Sequence, residues 1–202
     1  MLELWMWDTS NAQRVQIMLE ECALPYRAHR VDLMKDEQRS SQFLALNPVG
    51  AVPVLRDPDG PGGQPLTLAQ SGAIMLYLAD KTGRFLPRDP ARKARALQWF
   101  MFAVSDCMMA TAMIFQNTAI VPDKSPANVS FFEERLLRYC GVIDAELAGR
   151  EWLADEVGIA DFALYPIVRL RRPLVDKQGG LDALRAWCAR MERRPAVAKV
   201  YA

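Results

Sequence analysis

The chain has 202 residues and 51% apolar content, which is ample for a packed core and allows one large domain or two small ones. With 25 Lys+Arg against 24 Asp+Glu it lacks the concentrated positive surface that an electrostatic nucleic-acid binder needs. The start, Met1-Leu2-Glu3-Leu4, is unlike the basic-then-apolar pattern of a signal peptide, and no run reaches about 18 uninterrupted apolar residues. These features predict a cytoplasmic protein with no membrane span and no nucleic-acid partner. The four cysteines (Cys22, Cys107, Cys140, Cys188) include no Cys-x-x-Cys pair and fall in apolar helical patterns, so they read as small buried hydrophobes. No metal-ligand spacing is present, and His29, the one histidine, lies in a strand pattern without a nearby nucleophile.

Leu2 to Trp7 alternates as a strand and runs into Asp8-Thr9-Ser10-Asn11, a cluster of turn and cap residues. Val15, Met18, Leu19 and Cys22 follow at helical spacing, which predicts a helix ending near Leu24-Pro25. Tyr26 to Val31 reads as a second strand, and Lys35 to Leu46 as a helix closed by Asn47-Pro48. Val52 to Arg56 and Pro65 to Leu68 are predicted as antiparallel strands around the glycine- and proline-rich turn between them. Pro53 cannot donate a ladder hydrogen bond, a conflict that a cis Val52–Pro53 peptide resolves by leaving the Val52 main chain free to pair outside the sheet. Gln70-Ser71-Gly72 then opens a helix to Lys81, where free N–H groups favour a carboxylate.

The order βαβ–αββα predicts a small mixed sheet covered by helices over residues 1–82. Residues 83–91, with Leu86-Pro87-Arg88-Asp89-Pro90, read as a linker. Residues 92–202 carry helical periodicity only, with helices over Arg92 to about Ile114, Asn128 to Leu147, Ile159 to Arg172 and Leu181 to Arg193, which predicts an all-helical bundle. The methionines Met101, Met108, Met109 and Met113 read as core filler, with contact to an apolar substrate as the alternative.

Two motifs, Asn-Pro-x-Gly-x-Val-Pro-x-Leu from Asn47 and Leu-x-Gln-Ser-x-Ala-Ile-x-x-Tyr-Leu from Leu68, resemble the glutathione-binding half of the glutathione S-transferase family. The resemblance covers nearly the whole chain and implies a thioredoxin-like domain followed by a helical one. It also implies a homodimer that takes glutathione as co-substrate. The segment Asp8-Thr9-Ser10-Asn11-x-x-Arg14 is most similar to the bacterial Nu class and the fungal Ure2-like branch, in which a Thr and an Asn lie near the sulfur. By that likeness Asn11 is the first candidate for activating the thiol, Thr9 the second and Ser10 the third.

The same resemblance implies that Val52, before Pro53, pairs its main chain with the cysteinyl part of glutathione, and that Gln70 and Ser71 hold the γ-glutamyl end. Gln38 and Arg135, the latter in Glu133-Glu134-Arg135-Leu136, match further glutathione contacts, each with a solvated or ion-paired surface role as the alternative. Asp161 matches a structural aspartate of a capping box whose cap position here is Gly158, so half of the box is expected to be lost. The implied activity is attack of the glutathione thiol on electrophiles, disulfides or peroxides, with glutathione-dependent disulfide reduction favoured. The rival is a non-catalytic glutathione-transferase-like regulatory protein, of the kind seen in stringent starvation proteins.

Overall fold

The computed structural model describes residues Met1–Ala202. The chain forms two compact units, one of Met1–Arg84 with Ala196–Ala202 and one of Phe85–Pro195.

The first unit is built on four strands, β1 (Leu2–Met6), β2 (Tyr26–Arg30), β3 (Val54–Asp57) and β4 (Leu66–Ala69), in the order β2-β1-β3-β4. β1 pairs parallel with β2 and antiparallel with β3, and β3 pairs antiparallel with β4. Strand alternation sorts the residues into two cores. Leu2, Leu4 and Met6 are buried on one face. On the other, Trp5 and its cross-strand partner Val54 pack with Val31 and with Phe43 of helix α2 (Ser41–Leu46). Helices α1 (Ser10–Glu21) and α3 (Ser71–Thr82) pack on each other. This is the expected thioredoxin-like arrangement.

The boundaries differ where side chains cap the backbone. The helix predicted over Lys35 to Leu46 is two short 3-10 turns, Leu33–Lys35 and Glu37–Arg39, followed by α2. Asp36 takes a left-handed φ of 55° and Ser40 is extended, its hydroxyl accepting from Phe43 N at 3.3 Å, so the helix restarts there. The third strand begins at Val54 rather than Val52. The last seven residues, expected with the helical domain, belong to the first unit: Lys199 pairs with Glu20 at 2.8 Å, and the Tyr201 hydroxyl donates to Gln13 at 3.2 Å.

Asp57, at the end of β3, is 3% exposed and accepts from Lys81 at 2.8 Å, from the Tyr77 hydroxyl and from Asp59 N at 2.9 Å. Burial acts to raise its pKa, but the Lys81 and Tyr77 bonds and the Asp59 N–H outweigh burial and hold the carboxyl below the ordinary carboxylate value. The sign follows from linkage: this contribution is present above the unfolded value, about 3.9, and is lost as pH falls through the lower folded value. Lys81→Met is therefore expected to move the acid-unfolding midpoint to higher pH, measured by circular dichroism between pH 2 and 7. An unchanged midpoint would show that the ammonium contributes nothing.

The second unit contains α4 (Pro90–Phe102), α5 (Met108–Phe115), α6 (Pro126–Leu147), α7 (Ile159–Leu170), α8 (Arg172–Gln178) and α9 (Asp182–Glu192). The short α10 (Pro195–Val200), absent from the sequence prediction, crosses the unit boundary. Helix continues from Pro90 to Ile120 through wide π turns at Ala103–Cys107 and Gln116–Ile120. At these turns Ser105 Oγ donates to Met101 O and Thr118 Oγ1 to Ile114 O, hydroxyl back-bonds of the type that bends helices. By length and composition this stretch is apolar enough to cross a membrane, with a window of mean hydropathy 1.3 that is 39% buried in the fold. The sequence expectation missed it because it looked for uninterrupted apolar runs. In the bundle, α4 packs on α7 and α5 on α6.

α7 is the centre of that bundle, with Ile159 through Val168 all buried. Its start explains the missing cap hydroxyl. A Cβ at Gly158 would lie 2.7 Å from the Phe85 carbonyl oxygen, which also accepts from Ile159 N at 3.1 Å. A serine has no room there, and Asp161 makes the surviving half of the box by accepting from Gly158 N at 3.0 Å.

Candidate functional site

The strand register gathers most of the expected site residues at one end of the sheet. Trp5 pairs with Val54 and Val54 with Ala69, so the segments that follow β1, precede β3 and follow β4 meet there. These segments carry Thr9-Ser10-Asn11, Val52-Pro53 and Gln70-Ser71.

Thr9 is the N-cap of α1, extended at φ −121° and ψ 151°, and its hydroxyl accepts from Ala12 N at 3.3 Å. Ser10, the first helical residue, is buried. Asn11 is half-buried, and its Oδ1 accepts from Ser71 Oγ at 3.4 Å, which joins the start of α1 to the start of α3. Two helix N-termini therefore converge, each with main-chain N–H groups that lack intrahelical acceptors and a positive dipole end. Arg14, one turn after Asn11 on α1, is fully buried. The electrostatics favour an anion.

The Val52–Pro53 peptide is cis, as the proline's place at the strand entry suggested. Ladder pairing of β3 starts at Val54, and no turn or loop hydrogen bond uses the Val52 N–H or C=O. Asn47, expected as a helix stop and as the first residue of the Asn-Pro motif, frames this loop. It is buried, its Nδ2 donates to Ala51 O at 2.7 Å, and its Oδ1 accepts from Val49 N at 3.2 Å. Gly50 has a φ of 68°, and a Cβ there would meet Arg39 Nη1 at 2.8 Å and Gln38 O at 3.1 Å. The loop thus requires glycine and holds Gln38 close by. The Gln38 amide donates to Asp36 Oδ1 at 3.0 Å, while its Oε1 is buried without a hydrogen-bond partner.

Gln70 is exposed and makes no side-chain cap bond to α3; its backbone stands at φ 72° and ψ 112°. A non-glycine residue there carries a cost of about 1–3 kcal/mol, which the surrounding structure must hold in place. Sequence reasoning had no signal for this, because nothing in Ala69-Gln70-Ser71 marks a positive φ. Arg135 is not part of the first unit. On α6 its guanidinium lies 4.8 Å from the Phe131 ring centroid and 5.5 Å from that of Phe132.

The protein's own thiols are poorly suited to chemistry. All four are free and buried. Burial raises the pKa of Cys22, despite a bond to Thr82, and pushes Cys140 and Cys188 up to about 12. A reactive sulfur at this site has to arrive with a ligand.

Comparison with known proteins agrees with this geometry. The sequence model described as "Glutathione S-transferase, N-terminal domain" matches residues 9–81, and that of the "Glutathione S-transferase, C-terminal domain" matches residues 104–195. The Disulfide-bond oxidoreductase YfcG of Escherichia coli is 34% identical over 201 residues, which cover 97% of this chain and 92% of that protein. A Pseudomonas putida glutathione transferase, solved with one glutathione disulfide bound per subunit, superposes with a TM-score of 0.91 at 36% identity, covering 98% of this chain and 90% of that one. A Burkholderia graminis glutathione transferase, solved with two glutathione molecules per subunit, also gives 0.91, at 35% identity and covering 98% of this chain and 86% of that one. Fold, motif and relatives agree, and the chain belongs to the glutathione S-transferase family.

Proposed function

We propose that this protein binds glutathione at the end of the sheet where Asn11 and Ser71 meet, and uses its thiol chiefly to reduce disulfides. The observation that carries the proposal is the convergence of two helix N-termini, joined by the Ser71–Asn11 bond, beside the unpaired main chain of Val52. Gln70 and Ser71 would hold the γ-glutamyl carboxylate at the start of α3, and Val52 would pair strand-like with the cysteinyl unit. Pro53 stands at that edge, and Gln38, beside the Gly50 loop, is proposed as a further contact on sequence likeness. Arg135 is proposed as a further glutathione contact on sequence likeness. On sequence likeness we also propose that the protein belongs to the Nu-like group, related to the Ure2-like branch, and works as a cytoplasmic homodimer. Its proposed domains are residues 1–82 and 92–202, with 83–91 as linker.

A free thiol with a pKa near 8.5 is only about 3% ionised at pH 7, so the site must stabilise the thiolate. Hydrogen bonds to sulfur from the Asn11 amide or the Thr9 or Ser10 hydroxyl, with the α1 dipole, supply that stabilisation. The bound thiolate attacks one sulfur of a disulfide RSSR, forming the mixed disulfide GSSR and releasing RS⁻. A second glutathione thiolate then displaces the other RS⁻ and leaves GSSG, so each disulfide is reduced by two electrons drawn from two glutathiones.

The test compares purified protein in two assays, reduction of 2-hydroxyethyl disulfide and conjugation of 1-chloro-2,4-dinitrobenzene, each with glutathione. Reduction is expected to exceed conjugation in kcat/KM by at least about tenfold. Dominant conjugation would make this a transferase in the narrow sense. Absence of glutathione binding by calorimetry would favour the regulatory-protein reading.

A further inference from the structure

We propose that Arg30, the last residue of β2, is a positioning residue for thiol activation that holds Asp8 and cancels its charge beside Thr9-Ser10-Asn11. This role rests on the glutathione site proposed above. The strand register sets Arg30 opposite Met6, and Val31 N donates to Met6 O at 2.9 Å, so the end of β2 lies against the exit of β1. There the Arg30 guanidinium carbon is 4.6 Å from the Trp7 ring centroid, and Nη2 donates to Asp8 Oδ2 at 2.8 Å. Trp7 and Asp8 are the residues between β1 and the N-cap of α1, and Thr9 N donates to Trp7 O at 2.7 Å. One arginine therefore grips the whole link, and stacking on the indole fixes where its charge stands.

The need for such a grip lies in the sign of the charge. The three segments that meet at this end of the sheet, residues 7–14, 47–53 and 69–73, carry a single carboxylate, Asp8, and a single cation, Arg14. Beside the Gly50 loop stand Arg39 and, bonded to Gln38, Asp36, one of each charge. Two helix N-termini favour an anion here, whereas an uncompensated carboxylate would oppose the thiolate. The Asp8 and Arg30 side chains are 60% and 58% exposed, so their pair adds little to folding stability, and its effect is expected in the local field instead. A unit charge acting through partly solvated surroundings moves such an ionisation by about half a pH unit, or about threefold in the thiolate present at pH 7.

The experiment follows the ionisation of glutathione bound to the full-length protein, by the ultraviolet absorbance of the thiolate against the unliganded protein as pH is varied, with binding checked by calorimetry. Arg30→Met is expected to raise the midpoint by about half a unit, and Arg30→Lys, which keeps the cation, by less. Adding Asp8→Asn to Arg30→Met should return the midpoint to that of wild type or below it, a rescue that a purely structural clamp would not show. At about 1 M KCl, where screening acts within about 3 Å, the effect of Arg30→Met should shrink. Arg30→Gln serves if Arg30→Met does not fold. An unchanged midpoint in the folded Met or Gln variant, or a double variant as high as Arg30→Met alone, would overturn the role while leaving the glutathione site standing. No glutathione binding by wild type would remove the site and the role together.

Discussion

Asp161→Ala is expected to destabilise the protein by about 3–5 kcal/mol, the cost of stranding buried donors around a lost carboxylate. Asp161 is fully buried and accepts from Trp187 Nε1 at 2.8 Å, Gly158 N at 3.0 Å and Leu153 N at 3.3 Å. Trp187 and Leu153 are themselves completely buried, so water cannot replace the acceptor without rearrangement of the bundle. The variant should unfold at markedly lower urea, and a midpoint within error of wild type would rule out this account of α7. Burial first of all, against these three bonds, raises the Asp161 pKa to about 6. A raised folded value means that its contribution is complete below the unfolded value, about 3.9, and declines as pH rises through about 6. Asp161→Asn cannot ionise, and its stability should lack that decline.

Asn11→Ala should cut glutathione-dependent disulfide reduction at pH 7 by about tenfold to a hundredfold. If the bound thiol loses the donor that lowers its pKa by about two units, the ionised fraction falls by roughly that factor, partly offset by the greater nucleophilicity of a more basic thiolate. The diagnostic is the pH profile: the variant's rate should climb towards pH 8.5, where wild type is already flat. Thr9→Ala, at the second-ranked position, is expected to cost less in rate but also to weaken the α1 cap, in which the Thr9 oxygen accepts from Ala12 N. If Asn11→Ala keeps the wild-type profile while Thr9→Ala or Ser10→Ala takes on the shifted one, the thiol is activated from the neighbouring position instead. The Asn11–Ser71 bond also predicts that Ser71→Ala weakens glutathione binding more than it changes the pH profile.

The architecture was legible because it rests on periodicity. Leu2, Leu4 and Met6 alternate, and Val15, Met18, Leu19 and Cys22 repeat at helical spacing, and all of them are buried as those patterns require. What the sequence hid was backbone conformation decided by distant contacts. Nothing at Asp36 announced a left-handed residue that would split one helix into turns, and nothing at Gln70 announced its positive φ. Gly158 looked like a departure from the family pattern. Its cause lies more than 70 residues upstream, in the carbonyl of Phe85 that fills the space a side chain would need. Asn47 is visible in the sequence as a stop signal and a motif residue, but its side-chain bonds to Ala51 and Val49 have no counterpart in composition or spacing. The site residues themselves were readable only as short polar clusters at element starts. It took the strand register to show that three such clusters share one end of the sheet.

The four cysteines carry a consequence for durability. A catalyst that works among thiol-seeking electrophiles and disulfides risks being capped or crosslinked through its own sulfur. Here Cys22, Cys107, Cys140 and Cys188 are all inside the fold, and at Cys140 and Cys188 burial keeps the proton on up to about pH 12. Alkylating or oxidising agents would find no exposed cysteine thiol in the native state, and thiol labelling would report unfolding rather than turnover. Such an enzyme could spend its co-substrate's sulfur continuously while its own remained out of the exchange.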